Sequence, residues 1–178
     1  ALLAVVPAPA APLGLLVGAT LMMALGLADD WRSLPALPRF ATQAAAAGAL
    51  VWAFPAYRLP GAVPALSAAA SVLWIMAITN AFNFLDNMDG LAGGLALVGC
   101  LALGIAALHL GHPAGLVLSS ALGGALVGFL FFNFPPASIF MGDAGGLCLG
   151  FLLSGTAAAV SRHAPALGGS RLAWLAPL

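Results

Sequence analysis

Residues 91–110 read Leu-Ala-Gly-Gly-Leu-Ala-Leu-Val-Gly-Cys-Leu-Ala-Leu-Gly-Ile-Ala-Ala-Leu-His-Leu, without one formally charged side chain. A helix rises about 1.5 Å per residue, so about 20 mostly apolar residues cross the hydrocarbon layer of a bilayer. The stretch from Leu91 to Leu110 therefore predicts a membrane-spanning helix, and the rest of the chain follows suit. Of 178 residues, 63% are apolar and 6% charged, with a mean hydropathy of +1.11. A soluble globular domain carries roughly a quarter charged residues.

Outward from this stretch, polar and Pro/Gly interruptions mark further spans at Leu13–Ala28, Ala41–Phe54 with an extension to Tyr57, Pro64–Phe82, Ala114–Phe132 and Gly145–Ser161. The predicted fold class is all-α. It is a polytopic transmembrane helix bundle of about six complete spans, forming a single integral-membrane domain over residues 1–178. Ala1–Val6 and Leu172–Leu178 read as partial spans, so both ends look cut and a central fragment is expected. Gly93-Gly94, Gly123-Gly124 and Gly128 are small residues of the kind that let helices approach closely in lipid.

Charge excludes some partners. Lys and Glu are absent and five Arg balance five Asp, so no basic surface suggests nucleic acid. Cys100 and Cys148 have neither metal-site nor disulfide spacing. His109, His112 and His163 read as interfacial.

Each crossing carries the chain to the other side, so the loops alternate. Asp29–Phe40, the Asn80–Gly90 region and Asn133–Gly146 share one side; Arg58–Gly61, Gly111–Pro113 and Arg162–Ser170 share the other. All five acidic residues (Asp29, Asp30, Asp86, Asp89, Asp143) and all four Asn (Asn80, Asn83, Asn87, Asn133) fall on the first side. Solvated loops would distribute such residues on both. Acidic groups at the edge of an apolar bundle are costly and mark function. The arginines do not orient the chain, since Arg32 and Arg39 face Arg58, Arg162 and Arg171 across it.

Oxygen donors gathered without Cys make a hard-ligand site, suited to Mg²⁺ or Mn²⁺ and, through them, to phosphate chemistry. Asp29 and Asp30 would repel each other if both ionised, which a cation, or Arg32 and Arg39, would relieve. Between Asn80 and Gly90 the polar side chains recur at intervals of three and so line one drifting helix face. There Asp89 reads as a cap and Gly90 as a turn. Gly142, Gly145 and Gly146 flank Asp143 with backbone able to expose N–H groups to phosphate.

Leu27-Ala-Asp-Asp30, Asn80-Ala-Phe-Asn-Phe-Leu-Asp-Asn-Met-Asp-Gly-Leu-Ala92 and Phe132-Asn-Phe-Pro-Pro-Ala-Ser-Ile-Phe-Met-Gly-Asp-Ala-Gly145 resemble, in order, three motifs of the polyprenyl-phosphate N-acetylhexosamine-1-phosphate transferases. That family includes MraY, WecA and TagO. The resemblance implies a bacterial cytoplasmic-membrane enzyme with its site on the cytoplasmic face, which moves a sugar-1-phosphate from a UDP-sugar to a polyprenyl phosphate. It implies Asp143 and Asn83 as ligands of Mg²⁺ (or Mn²⁺), and Asp29 and Asp30 as the catalytic pair. Asp86 would shape the diphosphate end, Asn87, Met88 and Asp89 would lie along the uridine, and Phe140 would stack on the base. Gly142 and Arg39 join the substrate-binding set. The partners are the bilayer, the lipid phosphate and the nucleotide sugar; a homodimer is compatible with all of this. The wording Asn-Ala-Phe-Asn-Phe leans toward the WecA and TagO side.

Asn87 stands where Gly is usual and Arg39 where Lys is common, with Gln43 after it. The family's early Pro/Gly-rich loop and later His-rich loop have no counterpart in these residues. Two other readings use similar residues. An Asp-rich Mg²⁺-dependent prenyltransferase would not need the Phe-Met-Gly-Asp loop, and an ion-coupled transporter would carry its acids near mid-helix.

Overall fold

The computed structural model describes residues 10–60 and 63–163, and the partial spans expected at 1–6 and 172–178 lie outside them. Six α-helices follow in order: α1 Ala10–Trp31, α2 Ala36–Ala53, α3 Pro64–Leu85, α4 Leu91–His109, α5 Pro113–Asn133 and α6 Gly142–Ser161. Among the described residues there is no strand.

Five of the six helices are long and apolar enough to cross a membrane; α2 is not among them. It begins five residues before the expected span, at Ala36, and so takes Pro38, Arg39 and Phe40 into the helix. Its expected extension to Tyr57 is instead a separate 3₁₀ turn, Pro55–Tyr57. Prolines set several helix starts. Pro64 and Pro113 stand in the first turn of α3 and α5, where a missing N–H costs nothing.

The bundle is organised around α6, 78% of whose apolar stretch is buried against 22–33% for the other four spanning helices. It packs most extensively on α1 and α3, while α4 and α5 form a hairpin against its other side. One core joins Leu15, Met22, Leu50, Ile75, Leu147 and Phe151; a second joins Ala96, Cys100, Leu126, Leu149 and Leu153.

Close helix approach is made largely by glycines other than those the sequence suggests. A Cβ on Gly150 would lie 2.6 Å from Thr79 Cα, one on Gly146 2.9 Å from Asn83 Cα, and one on Gly26 would run into the backbone of Asp143. Gly93 does face Phe129 and Leu130, and Gly123 faces Cys100, but Gly94, Gly124 and Gly128 have nothing within 4 Å. The tight contacts thus belong to α6 with α3 and α1, and they press the first turn of α6 against the ends of both neighbours.

Candidate active site

The three polar loops meet at that first turn. Gly142 N–H donates to Asp86 Oδ2 at 2.9 Å, and Asp143 and Ala144 N–H donate to Asp30 Oδ1 and Oδ2 at 3.0 and 3.2 Å. Unpaired amides and the helix dipole make a helix start attractive to anions. Here two carboxylates from α1 and the end of α3 already occupy it. The expectation of backbone N–H groups around Asp143 free to cradle phosphate is therefore corrected: protein carboxylates take the amides of residues 142–144.

Asp29, also beside Asp143, makes different contacts from Asp30. Its buried carboxylate accepts from Leu34 N–H at 2.7 Å and from Arg39 Nη1 at 2.6 Å. The same Nη1 lies 3.8 Å from Asp143 Oδ2. Arg39, expected both among the substrate-binding residues and as a charge beside the Asp pair, is an ion-pair partner of Asp29 and Asp143, presented from the first turn of α2.

Asp143 stands beside Asn83, Asp29 and Asp30, with its side chain one third exposed. Asn83 Oδ1 and Arg39 Nε are buried without a hydrogen-bond partner. Thr79 Oγ1, one turn from Asn83, and Ser119 Oγ on α5 are the other two such atoms among the described residues. Buried polar atoms are rarely left unpaired, and two of these four belong to site residues. Of the two, Arg39 Nε is a protonated donor that suits an anion, and Asn83 Oδ1 is a hard oxygen acceptor that suits a cation. No three His, Cys, Asp or Glu side chains form a ready metal cage among the described residues. An acceptor set of one carboxylate and one carboxamide oxygen nonetheless fits Mg²⁺, which is held by one or two protein oxygens plus phosphates and water.

Asp86 follows α3 as its C-cap. Burial pushes its carboxyl above the ordinary range, the Gly142 N–H draws it down, and the charges of Asp143 and Asp30 push it up again. The cap of α4 is Gly90, at φ 72°, and not the expected Asp89. The Asp89 carboxylate instead accepts from Ala137 N–H at 3.1 Å, tying the second loop to the third. Asn87 lies exposed on the rim, as do Met88 and Phe140, which are 65% and 71% exposed. Phe140 is thus not packed among the described residues.

Two organisers went unrecognised in the sequence. Asn133, 3% exposed, accepts from Gly90 N–H at 3.0 Å and donates to Ile139 O at 2.9 Å, holding both loops at once. Gln43 and Asn80 pair their amides between α2 and α3. A lone Gln in an Ala-rich helix was the available signal.

At the other end of the bundle His112 and His163 meet edge to face at 4.4 Å between ring centres. They line an apolar cavity of about 540 Å³ with Leu15, Phe54 and Tyr57. None of the predicted site residues is there.

Residues 12–161 match the family described as Glycosyl transferase family 4. The chain is 38% identical over 146 residues to a probable undecaprenyl-phosphate N-acetylglucosaminyl 1-phosphate transferase of Bacillus subtilis (strain 168), covering 78% of this chain and 41% of that protein. It is 40% identical over 157 residues to the decaprenyl-phosphate N-acetylglucosaminephosphotransferase of Mycobacterium tuberculosis (strain ATCC 25618 / H37Rv), covering 78% and 39%. A phospho-N-acetylmuramoyl-pentapeptide-transferase of Moorella thermoacetica is 49% identical over 80 residues, covering 45% and 25%. The chain spans about two fifths of the length of the first two relatives. Since the matched residues take in all three loops that meet at the start of α6, the chain belongs to glycosyl transferase family 4.

Proposed function

We propose that the whole protein of which these helices form part transfers N-acetylglucosamine-1-phosphate, or a related hexosamine-1-phosphate, from a UDP-sugar to a polyprenyl phosphate. The setting is bacterial cell-envelope synthesis, at the cytoplasmic face of the inner membrane. One observation carries the reading: oxygen donors from three separate loops converge on the first turn of α6, at one end of an apolar bundle, with Asn83 Oδ1 buried and unpartnered beside Asp143. The names of the relatives, which specify polyprenyl-phosphate sugar transfer, support it.

In the reaction, a phosphate oxygen of the lipid forms a bond to the sugar-linked phosphorus. The bond from that phosphorus to the bridging oxygen breaks, and UMP leaves with the electron pair. The lipid phosphate carries about −1.5 to −2 charge at neutral pH, so it needs no strong base. Asp29 and Asp30 suit that chemistry, because their carboxylates are committed to Arg39, Leu34 and the start of α6. They position rather than deprotonate. Asp143 and Asn83 would hold Mg²⁺, which when bound supplies positive charge against the diphosphate. Arg39 holds Asp29 and Asp143 at a fixed separation. Phe140 and Met88, exposed on the rim, offer apolar surface to a uracil ring, with Asn87 and Asp89 beside them.

The lipid acceptor also accounts for the site's location. A prenyl chain stays in hydrocarbon while its phosphate sits at the boundary, where these loops are. Membranes containing the full-length protein, given labelled UDP-N-acetylglucosamine and polyprenyl phosphate, are expected to yield UMP and a lipid-linked sugar. Labelled prenyl transfer, or ion-driven uptake without either product, overturns the proposal.

A further inference from the structure

Gln43 is 1% exposed and faces Asn80 across the α2–α3 seam. Asn80 Nδ2 donates to Gln43 Oε1 at 2.5 Å and Gln43 Nε2 donates back to Asn80 Oδ1 at 3.3 Å. The second Nδ2 hydrogen of Asn80 goes to Met76 O at 2.7 Å. Each amide thus reads the other in both directions, and an Asn or Gln offers donors and an acceptor in fixed places.

Their positions along the helices give the pair its meaning. Arg39 lies four residues before Gln43 on α2, and Asn83 three residues after Asn80 on α3. Such neighbours share a helix face one turn apart. Both helices therefore carry, one turn nearer the polar end, a side chain of the site. α2 packs mainly on α3 and less on α1, with little contact to α6. Arg39 reaches Asp29 and Asp143 from a helix whose main seat is α3.

We propose that Gln43 and Asn80 are positioning residues, an amide clamp that fixes α2 on α3 in the one register that aims Arg39 at Asp29 and Asp143 beside Asn83. A generic apolar seam would tolerate sliding, because dispersion contacts are not directional. Two amides paired in both directions do not. This deepens the transferase reading and relies on it for the activity half of the test.

The test uses the full-length protein with Gln43→Met, which keeps side-chain length and apolar packing but removes the amide, and with Ala45→Met, an exposed position on the same helix, as control. Two quantities are measured per folded molecule: kcat for UMP release, and hydrogen–deuterium exchange in peptides covering 36–43. For Gln43→Met we expect kcat to fall roughly three- to tenfold, the range set by one or two interhelical hydrogen bonds. KM for the nucleotide sugar stays within about twofold, and faster exchange is confined to 36–43. Ala45→Met matches wild type in both. Unchanged kcat and exchange in Gln43→Met overturns the clamp, as does faster exchange spread evenly over all helices, which marks general destabilisation. If Gln43→Met does not fold, the exchanged pair Gln43→Asn with Asn80→Gln replaces it; the clamp then requires near-wild-type exchange in 36–43, and its failure there overturns it. Should wild type itself release no UMP, the transferase reading falls, and the exchange data alone decide the clamp.

Discussion

Asn83 shows how the fold gives up stability for a site. A buried acceptor without a partner costs on the order of 1–3 kcal/mol, and its Oδ1 is in that state. Asn83→Leu removes that cost together with the amide's hydrogen bond to Asp143. It is therefore expected to melt within about 4 °C of wild type in detergent while losing about a hundredfold or more in transfer, the size seen when a positioned polar group is removed from such chemistry. Arg39→Ala lowers stability. It removes the Arg39 donor from the buried Asp29 carboxylate and leaves the Leu34 N–H, so a loss of about 1.5–3 kcal/mol is expected, together with lost activity. Asp86 titrates in a way that can be checked. Burial, then the neighbouring Asp143 and Asp30 charges, raise its carboxyl against the pull of Gly142 N–H. A group raised in the folded state stabilises below its unfolded value of 3.8, and that contribution is lost as pH rises through its folded value. Asp86→Asn keeps an acceptor for Gly142. With chelator present it should thus melt at or above wild type at pH 7, by up to about 2–4 °C, and the two curves should converge in acid.

The helices explain which small residues matter. Gly146 and Gly150 of α6 let α3 approach until no Cβ fits, and Gly26 of α1 does the same for the first turn of α6. Gly150→Ala places a methyl 2.6 Å from Thr79 Cα and 2.9 Å from Ile78 O. Neither atom is on a flexible side chain. A loss of about 1–3 kcal/mol is expected, read as a lower melting temperature and weaker activity through displaced Asn83. Gly124→Ala has nothing within 4 Å and should be neutral or stabilising by up to about 1 kcal/mol. The sequence could not separate these cases, because small residues on an apolar helix do not say which face meets a neighbour. It did place five of the six expected spans, since hydropathy depends on composition alone. α2 starts earlier than its composition suggests, because Pro38 and Arg39 read as loop. The Arg39 charge is compensated within the bundle by Asp29, as the Gln43 amide is by Asn80.

Taken together, the helices deliver what alternation of crossings demands. Asp86, Asp89, Asn133 and Asp143 lie within one network at the end where Asp29 and Asp30 finish α1, and His112 and His163 pair at the other. That segregation was legible because a helix that spans a bilayer leaves its loops no choice of side. Which carboxylate is free and which is engaged was not legible, since Asp29, Asp30, Asp86 and Asp143 differ only through contacts 5 to 114 residues apart in sequence. Three are tied to backbone amides, and Asp143 is left with Arg39 and Asn83 beside it. On the proposed transferase reading, Asp143 and Asn83 are where a divalent ion would meet the diphosphate. The most direct measurement is Mn²⁺ binding to the purified full-length protein, followed by electron paramagnetic resonance with and without UDP-N-acetylglucosamine. One bound ion is expected, held more tightly with the nucleotide sugar present, and weakened at least tenfold in Asp143→Asn and in Asn83→Leu. Equal Mn²⁺ affinity in wild type and both variants would contradict that assignment.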